Sequence, residues 1–98
     1  MAGREIREIR GDGGALLGTA EYLGEVLDGV SRLYSPSGTL TQEAHYSQGQ
    51  LHGPYRSYWD TGLPKEQGAY HHGRRVGPYT WYLEDGSLLD TKDYPAAL

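Results

Sequence analysis

Four histidines, His45, His52, His71 and His72, are the side chains best suited to hold a metal ion. His71 and His72 are adjacent, so a strand would send them to opposite faces and a turn would leave both in solvent. His45 and His52 straddle Gln48-Gly49, where a turn could bring them together. No carboxylate stands beside them at a ligand spacing, and the chain has 0 cysteines to supply a thiolate. Neither a metal nor a cofactor is therefore expected. Glu84-Asp85 and the pair Asp90 and Asp93 lie in or beside turn residues and read as solvated charge. A Gly-x-Ser-x-Gly nucleophile turn does not occur. Gly11-Asp12-Gly13-Gly14 is rich in glycine but has no strand–loop–helix context to cradle a phosphate. No catalytic residue is assigned, and the chain is not expected to be an enzyme.

Recognition is the other chemistry on offer. The chain has 9 tyrosines and 2 tryptophans but 0 phenylalanines, and 13 acidic against 9 basic side chains, a net charge of −4. That balance argues against nucleic acid and against anionic lipid. Arg74-Arg75 beside His71-His72 forms a small basic turn, too little for strong phosphate binding. Glu21, Glu25 and Asp28 make the opposite end acidic and suited to a basic partner.

The elements that must position these groups repeat. Gly29, Gly53 and Gly77 lie 24 residues apart, as do Gly38, Gly62 and Gly86, Tyr34, Tyr58 and Tyr82, and Tyr46, Tyr70 and Tyr94. Residues 27–50 and 51–74 share 7 identities without a gap, and these fall largely on the same columns. The register divides residues 1–98, read as a single domain, into full units at 27–50, 51–74 and 75–98, preceded by a worn unit at 4–26. Within a unit, strand formers such as Pro54-Tyr55-Arg56-Ser57-Tyr58-Trp59 lead into Asp60-Thr61-Gly62, which is turn chemistry. A second strand runs from Leu63 to Tyr70, and His72-Gly73 turns the chain again. The predicted fold is all-β: one elongated, twisted antiparallel meander of 24-residue β-hairpin repeats. Arg4–Arg10, with Ile6 and Ile9 three apart, is the one segment where a helix competes.

Alternation places Tyr55, Ser57 and Trp59, with Tyr79, Trp81 and Leu83, on one face of the sheet. Tyr34, Tyr58 and Tyr82 stack on the other face. This ladder and the Tyr46–Tyr70–Tyr94 column are expected to form the core, which leaves Tyr55, Trp59, Tyr79 and Trp81 as the candidate partner-binding residues.

Gly53-Pro54-Tyr55, Tyr58-Trp59, Asp60-Thr61-Gly62-Leu63 and Gly68-Ala69-Tyr70 resemble the MORN repeat. The closer likeness is to the variant MORN repeat of bacterial proteins described as antitoxin components. Gly77-Pro78-Tyr79, Tyr82 and Asp85-Gly86-Ser87-Leu88 follow the same pattern. Lys92 replaces the glycine before Tyr94, and Ala44 replaces it in the first full copy. The resemblance implies successive hairpins in one sheet, and roles in scaffolding, protein–protein contact and, for some members, association with membranes. Its motif holds no catalytic residue.

The expected function is a non-enzymatic protein–protein interaction module. It would bind a protein partner, such as a basic toxin or effector, through the aromatic face or a sheet edge. Self-association into a homo-oligomer is also expected, because edge pairing would supply the core that one sheet lacks. The alternatives are a glycan or peptide stacked on the Trp/Tyr face, or a weak membrane-associated module. The N-terminal stretch Met1-Ala2-Gly3-Arg4-Glu5 has no apolar core like that of a secretory signal, and the expected location is the cytoplasm.

Overall fold

The structure is a computed structural model that describes residues 3–96. The ends of the 1–98 assignment, residues 1, 2, 97 and 98, lie outside the described residues. Eight strands form one antiparallel sheet in strict sequence order: β1 (Arg4–Arg10), β2 (Leu16–Leu23), β3 (Val26–Tyr34), β4 (Leu40–Ser47), β5 (Gln50–Tyr58), β6 (Pro64–His71), β7 (Arg74–Tyr82) and β8 (Leu88–Tyr94). The sheet measures 40 × 39 × 13 Å, one layer thick. Arg4–Arg10 is a strand paired along its length with β2, so the competing helix does not form. Its run of alternating charge suits an edge, and Ile6 and Ile9 stay exposed.

Two kinds of turn alternate, and each recurs with the same chemistry in successive full units. At the first kind, the amide N–H of Ser35, Trp59 and Leu83 donates to the carbonyl of Thr39, Leu63 and Ser87. Gly38, Gly62 and Gly86 close these loops at φ of 93°, 91° and 90°, which only glycine adopts freely. Gly11–Ala15 repeats the pattern around a single 3₁₀ turn at Asp12–Gly14. The second kind has two residues, Gln48-Gly49 between β4 and β5 and His72-Gly73 between β6 and β7. All four residues have positive φ, with Gln48 at 52° and His72 at 47°. Positive φ at both positions matches the right-handed twist of the flanking strands.

Between the turns, the ladder skips at matched places. Ala44 pairs with Tyr55 and Tyr46 with Leu51, so His52, Gly53 and Pro54 together oppose His45. Asp28, Gly29 and Val30 oppose Glu21 in the same way. Such bulges bend the sheet. A side chain from the facing strand stitches each one. Glu21 Oε1 accepts the Val30 amide N–H at 2.8 Å. Pro54, the equivalent of Val30, has no N–H, and the equivalent of Glu21 is His45, whose Nδ1 lies 3.1 Å from the Pro54 carbonyl oxygen and donates to it.

Bending decides where the core sits. The most buried apolar side chains are Ala20, Ala44 and Tyr79, and Ser57 is buried with them. All of them lie on the face that carries Tyr55 and Trp81. The core therefore forms on the face assigned from sequence to a partner. Tyr34, Tyr58 and Tyr82 are only half-buried. Arg32, Glu43 and Arg56 form a polar row on that second face, with Arg32 Nε 2.9 Å from Glu43 Oε2.

Candidate functional site

The concave face is built from one three-residue device, used at successive units. A tyrosine on the first strand of a unit lies over a small residue on the strand before it. Its hydroxyl donates to a polar side chain two residues earlier on that same strand. Tyr55 pairs with Ala44 and donates to Gln42 Oε1 at 3.1 Å. Tyr79 lies against Gly68 and donates to Glu66 Oε2 at 2.8 Å. Ser31, one unit before Tyr55, pairs with Ala20 and has no ring to offer. The groove consequently deepens along the sheet, from serine to tyrosine to a fully enclosed tyrosine.

Tyr79 is 0% exposed. Its ring meets Tyr70 and Tyr94 edge-on, with centroids 6.1 and 6.0 Å away, and Trp81 at 4.8 Å. The Arg75 guanidinium lies 4.7 Å from the ring centroid. Arg75 Nε donates to the Tyr70 hydroxyl at 3.3 Å and Nη1 to the Tyr94 hydroxyl at 3.4 Å. The bond to Tyr70 is the first of the contacts that raise the guanidinium pKa further above its ordinary value. Burial is the main cause that raises the Tyr79 phenol, and the same cause lifts Tyr55 to about 12. Both hydroxyls stay protonated and donate. Glu66 is shared, because its Oε1 also accepts from Ser57 Oγ at 3.2 Å.

The four residues singled out from sequence therefore play different parts. Tyr79 is interior packing, and its ring supports the face rather than meeting solvent. Tyr55 and Trp81 are half-buried beside it. Trp59 is half-buried at the end of β5, where Lys65 Nζ lies 4.9 Å from its ring. Among the described residues, its buried indole N–H has no acceptor. Trp59, Tyr55, Gln42, Ser57 and Glu66 line a cleft of about 620 Å³, with Lys65 and Glu84 at its border. Gln42 and Glu66 were not singled out from sequence, and Arg75, read there as part of a small basic turn, packs on the Tyr79 ring. The signal for the first two was a polar residue at an inward strand position, repeated 24 residues on.

The histidines are also rearranged relative to expectation. His45 is occupied by the Pro54 carbonyl. His52 faces His71 and His72 instead, with ring centroids 4.7 Å from each, and the latter two are 4.4 Å apart. The positive φ of His72 breaks the strand alternation that would have parted it from His71. Burial first, and then the neighbouring His72 and His52, lower the His71 pKa. His52 Nδ1 accepts the His72 amide N–H at 3.2 Å. One unit earlier, Asp28 Oδ2 accepts the Gln48 amide N–H at 3.0 Å. Asp28 is also held by Arg4, whose Nη2 donates to Oδ1 at 2.7 Å. These bonds keep the Asp28 carboxyl below its ordinary pKa, with the Gln48 amide the larger cause.

A one-layer sheet of repeated hairpins with an aromatic concave face defines a class of β-repeat protein. Residues 27–48, which cover most of β3 and all of β4, match the family model of the MORN repeat variant. MORN repeats are β-hairpin repeats that are generally non-catalytic and often mediate protein interactions. No curated protein and no solved structure matches the chain. No helix among the described residues is long and apolar enough to cross a membrane, a statement that leaves β-barrels aside.

Proposed function

We propose that this protein is a non-enzymatic interaction module of the cytoplasm, built from units at 27–50, 51–74 and 75–98 behind a worn unit at 4–26. Its concave aromatic cleft would take a basic segment of a protein partner, such as a toxin or effector. The observation that carries this reading is Trp59: a buried indole donor without an acceptor, at a cleft lined by Tyr55, Gln42 and Glu66. Buried donors are nearly always paired, so an acceptor supplied by a partner backbone would complete the site once Lys65 swings off the ring. Glu66 and Glu84 at the cleft, and the net charge of −4, favour a basic segment. Trp81 and Tyr55 supply flat apolar area at low rotamer cost, over the support of Tyr79.

The exposed edges support the companion reading of self-association. β8 leaves Leu88 and Leu89 at 59% and 60% exposure, and β1 leaves Ile6 at 67%. An unpaired edge with exposed leucines is a template for another strand. Tagged protein recovered from its native cell should bring down a stoichiometric partner. Trp59→Ala and Glu84→Lys should each lose that partner while circular dichroism stays unchanged. Tyr79 is unsuitable for this test because its removal would collapse the face. Undiminished capture by both variants would overturn the cleft reading. A tryptophan fluorescence response to a glycan panel, without a captured protein, would favour a stacked sugar instead.

A further inference from the structure

We propose that His52, His71 and His72 form a binding site for one transition-metal dication of the zinc class, distinct from the aromatic cleft. One ligand nitrogen from each of the three rings lies within 4.8 Å of the others. Tetrahedral zinc, at about 2.0–2.1 Å from each nitrogen, needs nitrogens about 3.3 Å apart, which modest side-chain rotations provide. The donor set is three imidazoles without a carboxylate. That set suits zinc, nickel or copper and does not suit magnesium or calcium, which require oxygen ligands. A three-histidine set leaves a fourth position open to water.

The turn itself does not require this arrangement. In the preceding unit, Ser47 and Gln48 occupy the places of His71 and His72, and the same two-residue loop forms with the same positive φ. Asp28 stands in the place of His52 and accepts the same amide. Capping the turn therefore accounts for an acceptor at position 52. It does not account for three imidazoles whose ring centroids lie within 4.7 Å of one another. Two geometric conditions create the cluster. β5 brings His52 alongside the β6–β7 turn, and the left-handed backbone of His72 rotates that ring to the side of His71. His71 and His72 also line a cleft of about 840 Å³ together with Tyr94 and Arg74, so two of the three ligands border space that solvent can enter.

Binding leaves a specific mark on the backbone. His52 Nδ1 accepts the His72 amide, so the neutral ring carries its proton on Nε2. The metal takes His52 on Nδ1 in place of the amide, or on Nε2 after the ring turns over. Either way, the His72 amide loses its acceptor.

The test is a Zn²⁺ titration of the full chain without a polyhistidine tag, followed by calorimetry and NMR. Saturation is expected at one equivalent per chain. The ring signals of His52, His71 and His72 and the His72 amide should shift, while the His45 ring stays still. Mg²⁺ should produce no change. The double variant His71→Ser/His72→Gln, which copies the preceding unit, should fold as before and bind at least tenfold more weakly. His52→Asn keeps an acceptor for the amide and should weaken binding similarly. The proposal falls if the chain does not saturate by millimolar Zn²⁺, or if the double variant binds as tightly as the parent. Saturation at half an equivalent with dimer formation would equally overturn a site made within one chain.

Discussion

Substituting Gly68 with alanine isolates the contact on which the deepest part of the concave face rests. Gly68 lies in ordinary extended backbone, so alanine alone would reduce the freedom of the unfolded chain and stabilise by about 0.4–1 kcal/mol. Space decides otherwise. A methyl at this position would sit 2.0 Å from Tyr79 Cδ2 and 2.4 Å from Cε2. Contact between carbons is optimal near ~3.5 Å, so the ring must withdraw by roughly 1.5 Å. It is enclosed by Tyr70, Trp81, Tyr94 and Arg75, and tethered through its hydroxyl to Glu66. Overpacking a filled site costs about 1–3 kcal/mol, and losing a hydrogen bond to a charged group adds about 1.5–3 kcal/mol. One relaxation is available: Tyr79 could adopt the seat that Tyr55 holds over Ala44, keeping its acceptor. That escape places the net loss at about 1–3 kcal/mol, a fall in Tm of about 5–20 °C for a chain of this size. Thermal unfolding by far-UV circular dichroism reads the loss, and near-UV dichroism reads the displaced ring beside Trp81. An alanine variant as stable as the parent, with an unaltered near-UV spectrum, would show that Tyr79 is not seated on Gly68.

Asp28 and His45 provide two further tests. The folded Asp28 carboxyl has a lowered pKa, so its stabilisation is fully present above the unfolded value of about 4 and disappears as pH falls through the folded value. Asp28→Asn should therefore be less stable than the parent at neutral pH, and the two Tm values should converge below about pH 4. An equal gap at both pH values would refute the role of the charge. His45→Glu restores the acceptor of the first bulge opposite a proline that has no N–H to give it, and should cost about 1 kcal/mol. Adding Pro54→Val supplies the missing donor, so a denaturant double-mutant cycle should show a coupling of about 1 kcal/mol; additive losses would dissociate the two residues.

The turns and the order of strands were legible because each turn depends on a local chemical necessity. Gly38, Gly62 and Gly86 adopt a backbone that other residues avoid, and they recur at one spacing. The choice of concave face was not legible. Both faces of a single sheet carry tyrosines, and the side that closes is set by bulges in which three residues oppose one, which strand alternation does not foresee. The role of Gly68 was hidden for a related reason: its column holds Ala20 and Ala44 in the preceding units, and what it does depends on a ring eleven residues away in a register read only after folding. The histidine cluster was missed because His72 takes a left-handed backbone that a non-glycine residue gives no reason to expect. Gly24, which has φ 63° at the equivalent place, was the one hint.

Strict sequence order in the sheet has a kinetic and mechanical corollary. In the backbone ladder each strand pairs only with the strands that immediately precede and follow it, and the reach-back bonds of Arg4 to Asp28, Asp28 to Gln48 and His52 to His72 span 24, 20 and 20 residues. Among the described residues the edge strands β1 and β8 do not pair with each other, so no large loop must close before folding gains anything, and the chain can nucleate on a central hairpin and extend outward. Opening then proceeds inward from the rims. β8, exposed at nearly every position, should exchange its amides long before β5, so stability along the molecule is a gradient rather than a single value.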